Sequence, residues 1–221
     1  MGVDGIMGTM IERKKRLMML TQEETYIKDG LVLWMDGIKK GNTAGAWVDQ
    51  ANGHIFTVVN DVIFGNSYVQ TSATAYLTNT TFASPMVSVG TIEIVISDYV
   101  GSENPIVFMP NNSGIAFGIY DNKIIWSSGG TGAAYIFAPI NSKIYSIHAN
   151  RAFVDGIYTE CGGGNSWVRN DSNNYIGRRS SGNQFSGKIH AIRLYNRQLT
   201  DDEILHNQRI DNKRFNLGLT I

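Results

Sequence analysis

Cysteine is almost missing from this chain. Cys161 stands alone in 221 residues, which excludes an intramolecular disulfide framework and any zinc site built on several thiolates. Charge is sparse, at 17% of residues, and balanced, with 19 Lys+Arg against 19 Asp+Glu. A formal net charge of zero removes the whole-molecule basic field of a nucleic-acid binder, so no nucleic-acid partner is expected. No run approaches the roughly 18 apolar residues of a membrane-spanning helix, so no membrane partner is expected either. Arg13-Lys14-Lys15-Arg16 ahead of Leu17-Met18-Met19-Leu20 opens like a secretory signal but stops at Thr21-Gln22-Glu23-Glu24. That is short of the roughly 7–15 apolar residues a signal peptide needs, so no signal peptide is expected.

What is abundant is glycine, at 24 residues against 4 prolines, with many asparagines. Short β-branched and aromatic runs punctuated by Gly, Asn and Asp read as strands. They are Leu31–Met35, His54–Val59, Ser67–Gln70, Thr91–Ser97, Pro105–Met109, Ile115–Tyr120, Lys123–Trp126, Tyr135–Ala138, Ile144–Ala149, Ala152–Val154, Ile157–Glu160, Asn174–Gly177 and Lys188–Tyr195. Asp155-Gly156 and Asp121-Asn122 suit tight hairpin turns, because these residues tolerate positive φ. One helix is signalled by Thr200-Asp201-Asp202-Glu203, which has capping-box spacing, and it should fade near Asn212. Many strands and one late helix predict an all-β, two-sheet antiparallel sandwich with a C-terminal helix.

The first residues differ from the rest. Five of the eight Met, including Met18 and Met19, and the basic run Arg13, Lys14, Lys15 and Arg16 fall in the first 19 positions. Residues 1–29 therefore read as an N-terminal arm ahead of a domain at 30–221. Adaptable Met side chains and a basic run suit docking onto a partner. A disordered leader, or a helix lying against the domain, accounts for the same composition.

The C-terminal third carries a recognisable pattern. Tyr175-Ile176-Gly177-Arg178, then Phe185-Ser186-Gly187-Lys188-Ile189, then Ile192-Arg193-Leu194-Tyr195-Asn196-Arg197-Gln198-Leu199-Thr200-Asp201-Asp202-Glu203-Ile204 resemble the closing segment of laminin-G-like, concanavalin A-like jelly rolls. Phe153-Val154-Asp155-Gly156 and Gly30-Leu31-Val32-Leu33-Trp34 resemble that family's hairpin and opening strand. The resemblance covers about residues 30–212 and implies a jelly roll. His190 departs from it, because the family has an acidic residue there. The step from Ile189 to Ile192 requires a β-bulge if both face the core. The layout, with Tyr26-Ile27-Lys28-Asp29-Gly30-Leu31-Val32 after a basic, Met-rich leader, also resembles phage and prophage structural proteins of gut bacteria.

Jelly rolls of this shape include glycanases, which need two carboxylates about 5–9.5 Å apart. Glu93 and Asp98 are the acidic pair on an apolar strand, and an offset of five places them on opposite faces. The other acids fall at turns or at the helix cap. His54, His148, His190 and His206 show no metal-ligand spacing, and no calcium loop is present. The chain is therefore expected to be no enzyme, with no cofactor and no metal. For sugar binding, Trp167 sits in a polar loop beside Asn165, Arg169 and Asp171, an aromatic that can stack on a pyranose next to groups that pair with hydroxyls. Folding back as a hydrophobic lid is its other reading. Trp34, in the opening strand, reads as core; Trp47 is ambiguous.

These readings lead to a non-enzymatic, virion-associated adhesion protein that displays a lectin-like jelly roll and is anchored to other virion proteins by its arm. Its expected location is the virion, or the bacterial host cytoplasm before assembly. A homo-oligomer is compatible with that role. A carbohydrate-binding module for cell-surface or dietary glycans is the alternative, and a glycan-active enzyme the third.

Overall fold

The computed structural model describes residues 25–41, 45–82, 90–100, 106–110, 116–120, 123–128, 132–136, 142–148, 151–162, 174–178 and 184–221. Two antiparallel layers face each other. The first runs β4 (Ile63–Phe64), β5 (Val69–Thr71), β16 (Gly187–Tyr195), β7 (Thr91–Ser97), β12 (Ile144–His148), β13 (Arg151–Val154) and β14 (Ile157–Gly162), with β1 (Leu31–Asp36) also paired to β16. The second runs β2 (Ala46–Val48), β3 (Ile55–Val59), β6 (Tyr76–Asn79), β15 (Asn174–Ile176), β8 (Ile106–Pro110), β9 (Ala116–Tyr120), β10 (Lys123–Ser128) and β11 (Gly132–Ile136). Strand β14 joins them: its first part pairs with β13, and Cys161 and Gly162 pair with β11. This is the expected jelly-roll sandwich.

Strand alternation sorts the side chains. Leu33, Met35, Ile92, Ile94, Ile96, Tyr145, Ile147, Ile189, Ile192 and Leu194 enter the central core with Trp47, Phe56, Leu77, Phe108, Phe117 and Ile176 of the other layer. Full burial of each such aliphatic or aromatic side chain contributes roughly 1.5–3 kcal/mol. The register of β16 shifts between Ile189 and Ala191, the bulge that the 189-to-192 spacing requires. In the β13–β14 hairpin, Asp155 and Gly156 both have positive φ, 50° and 86°. The turn at Asp121-Asn122 lies outside the described residues, although Tyr120 and Lys123 on either side are paired.

The opposite face of the first layer carries the helix α1 (Asp201–Phe215). Thr200 accepts from the Glu203 amide and the Glu203 carboxylate accepts from the Thr200 amide, so the capping box is complete. The helix continues past the expected fade at Asn212, because Phe215 buries against Val95, Ile144 and Ala191 and Asn216 closes the end in the left-handed conformation. Strands β2, β4 and β6 were not expected. Each is two to four residues long, too short to show a period, and pairing with longer neighbours extends them. Strand β11 starts earlier than Tyr135 because its pairing with β10 begins at Gly132 against Ser128. Among the described residues no helix is long and apolar enough to cross a membrane.

Candidate functional site

Between the first layer and α1 lies a fully buried polar seam. Arg193 donates from Nε to Glu93 Oε2 at 2.7 Å and from Nη1 to Asp211 Oδ1 at 2.9 Å, and its Nη2 also pairs with Asp211. Asn207 donates to Glu93 at 2.9 Å and to the Tyr195 hydroxyl at 3.0 Å. Ser146 donates to Glu93 and receives from Gln208. Burial pulls the Arg193 pKa down, but the flanking carboxylates Asp211 and Glu93 more than offset it, and the guanidinium is held well above its usual range. Tyr26 closes the seam at one end. Its hydroxyl donates to Asp211 at 2.7 Å, and the Arg193 guanidinium stacks 4.1 Å from its ring centre. Burial and the Asp211 charge raise the phenol's pKa, so it stays a donor.

Outside this seam opens a groove of about 480 Å³, lined by Thr25, Tyr26, Lys28, Trp34, Ile38, Lys39, Ile210, Lys213 and Arg214. That volume lies within the roughly 300–1,000 Å³ of small-molecule sites. Three elements build it. Residues 25–28 run along α1, held by the Ile27 amide donating to Asn207 and by His206 against the Thr25 carbonyl. Strand β1 turns Trp34 toward the helix side, because its neighbours Leu33 and Met35 fill the core. The last turns of α1 supply Ile210, Lys213 and Arg214.

Trp34 and Tyr26 form the aromatic wall, with rings 5.4 Å apart at 70°. The Lys28 ammonium sits 3.7 Å from the centre of the Trp34 ring. The indole Nε1 is enclosed and has no hydrogen-bond acceptor in the structure. Arg214 bridges Tyr26, at 3.1 Å, and the buried Asp36, at 2.8 Å. Asp36 in turn accepts from the amides of Ile38 and Lys39, which fixes the loop at the groove edge. Burial lowers the Lys28 pKa, and the nearby charges of Arg193, Lys39 and Arg214 lower it further. The groove is therefore a concentrated positive region on a chain with no net charge.

Trp34 is thus corrected from core to groove wall, and the alternation Leu33-Trp34-Met35 is the signal that places it. Trp47 is core, with its Nε1 donating to the Asp36 carbonyl at 3.0 Å. Trp167, Asn165, Arg169 and Asp171 lie outside the described residues, as do Arg13, Lys14, Lys15, Arg16, Met18 and Met19. No group of three or more His, Cys, Asp or Glu placed to hold a metal occurs among the described residues.

No family model matches the chain, and no curated protein matches it. Solved structures do. Trypanosoma rangeli sialidase in complex with sialic acid matches with a TM-score of 0.54 at 15% identity, over 84% of this chain and 33% of the sialidase. The binding domain of botulinum neurotoxin DC in complex with SialylT matches with a TM-score of 0.59 at 15% identity, over 83% of this chain and 51% of that one. A second receptor-binding domain matches with a TM-score of 0.58 at 13% identity. This chain spans about a third of the sialidase and about half of the toxin domain. Likeness at such identities is likeness of fold: the chain has the β-sandwich found in sialidase chains and in receptor-binding domains.

The expectation that the chain is no enzyme is corrected by these matches, since sialidase chains carry this sandwich. The carboxylate test behind that expectation was also too narrow. It compared acids on one strand, whereas the fold brings Glu93 of β7 and Asp211 of α1 onto a single guanidinium.

Proposed function

We propose that this chain is a lectin-like carbohydrate-binding module, with the groove at Trp34 as its recognition site. The observation that carries this reading is the groove itself: an indole and a phenol ring forming one wall, cationic donors around it, and a rigid strand and helix behind it. Aromatic faces pack against the C–H faces of pyranoses, while convergent polar groups fix their hydroxyls. The fold it shares with receptor-binding domains supports the reading.

The test is a glycan array probed with the full chain and with Lys28→Ala, Lys39→Ala and Trp167→Ala variants. The expected result is binding to a subset of glycans that weakens on the groove substitutions. Silence across a diverse array overturns the reading. Loss on Trp167→Ala alone moves the site to the 165–171 loop.

The finer reading is a virion-borne adhesion module, held to other virion proteins by residues 1–29. The basic, Met-rich leader and the laminin-G-like C-terminal motif support it. A chain lacking residues 1–24 should fold, keep its glycan binding and lose association with particles. Retained association counts against an anchoring arm.

A further inference from the structure

Resting on the reading of this groove as a saccharide site, we infer that its ligand is an acidic sugar, one whose carboxylate is taken by Lys28 while its ring packs on Trp34. The charge balance of the groove is the first argument. Lys28, Lys39, Lys213 and Arg214 line it, and the acids on its inner side are already engaged. Asp36 is held by Arg214 and by two amides, and Asp211 by Arg193 and Tyr26. The exposed cations of the rim therefore face the cavity with no carboxylate among its lining residues, the reverse of what a cationic ligand needs. A neutral sugar would leave that excess positive charge uncompensated.

The second argument is the Lys28–Trp34 contact. With its ammonium 3.7 Å from the ring centre, Lys28 covers a face of the indole. A neutral pyranose must displace it without offering a replacement for the lost cation–π attraction, which is worth about 0.5–1 kcal/mol at an exposed site. A carboxylate supplies that replacement as a charge-assisted hydrogen bond. The lysine swings from the ring to the carboxylate, and the uncovered indole face receives the sugar ring. The third argument is the indole Nε1, a donor enclosed without an acceptor. Burying an unsatisfied donor is costly, and a carboxylate is the ligand group richest in acceptor sites.

The test is isothermal titration of the full chain with four compounds: 3′-sialyllactose, a glucuronate-containing disaccharide, lactose and sodium acetate. Each is run in about 0.05 M and about 0.5 M salt. The wild type should bind at least one of the two acidic sugars. Lys28→Gln and Lys39→Gln should each weaken that binding about tenfold or more, high salt should weaken it too, and lactose should not bind. Both variants change exposed side chains, and unaltered thermal melts confirm that they fold. Equal affinity for lactose and the acidic sugars, lost in Lys28→Gln, overturns the acidic class but keeps the groove as a sugar site. Acetate binding as tightly as either sugar overturns the saccharide part. Acidic-sugar binding untouched by both substitutions overturns the assignment to this groove, and no binding of either acidic sugar overturns the inference altogether.

Discussion

Arg193 shows what a single residue does in this protein. Its guanidinium is wholly buried between Glu93 and Asp211, so it is kept ionised by partners that are themselves ionised only because it is there. Removing one member of such a cluster leaves uncompensated buried charge, at a cost of roughly 3–5 kcal/mol. Arg193→Met should therefore lower the denaturant midpoint by far more than a surface substitution, and Arg193→Met/Glu93→Leu should recover part of the loss. A double variant no better than the single one would mean that the pair is not energetically coupled. His148 makes the opposite case, a buried residue best left neutral. Burial lowers its pKa and the nearby Arg151 lowers it further, while Asp201 and Gln198 oppose the change. With the folded pKa below the unfolded one, the unfolded chain takes up the proton first. Stability should then fall as pH drops below about 6.5. Chemical denaturation between pH 7.5 and 5 checks this: the slope should be shallower in His148→Leu than in the wild type.

Individual elements differ in how plainly they are written in the sequence. Helix α1 declares its start, because a capping box is a local arrangement of four consecutive residues. Thr200→Ala should cost about 1 kcal/mol. Glu203 adds a pH signature. The Arg197 guanidinium, outweighing burial and aided by the Thr200 amide, holds its carboxyl down at about 2. A depressed carboxylate pKa stabilises the fold above about pH 4.5 and loses that contribution as pH falls toward 2. The acid limb of a melting-temperature profile should therefore flatten in Glu203→Gln. Partial exposure of Glu203 and Arg197 keeps the effect small. The β6 strand declares nothing, since Tyr76–Asn79 becomes a strand only through its neighbours β3 and β15. The groove is harder still to read. Residues 25–28, β1 and the end of α1 lie far apart in the chain, and nothing local brings Tyr26 to Asp211, 185 positions away. Only the alternation in β1 hints at it, by turning Trp34 away from the core that Leu33 and Met35 occupy.

For the molecule as a whole, the layer sequence is sandwich core, then β7–β16, then polar seam, then α1, and the segment before β1 locks the outermost contact. Tyr26 is 4% exposed and bonded to Asp211, Ile27 reaches Asn207, and the Tyr195 hydroxyl donates to the Ile27 carbonyl. A chain beginning at Thr25 keeps all of these contacts, whereas one beginning at Gly30 loses Tyr26 and leaves Asp211 and Arg214 each short of a partner. Losing a buried aromatic costs roughly 3–5 kcal/mol, and each kcal/mol shifts the melting temperature of a domain this size by roughly 2–4 °C. Calorimetry should then find the chain from Thr25 melting with the full-length protein, and the chain from Gly30 melting on the order of 10 °C lower. The second chain should also lose whatever the groove binds, because Lys28 leaves with Tyr26. Equal melting of the two truncations would show that residues 25–29 rest on the domain without holding it, and the groove would then lack the fixed wall its geometry implies.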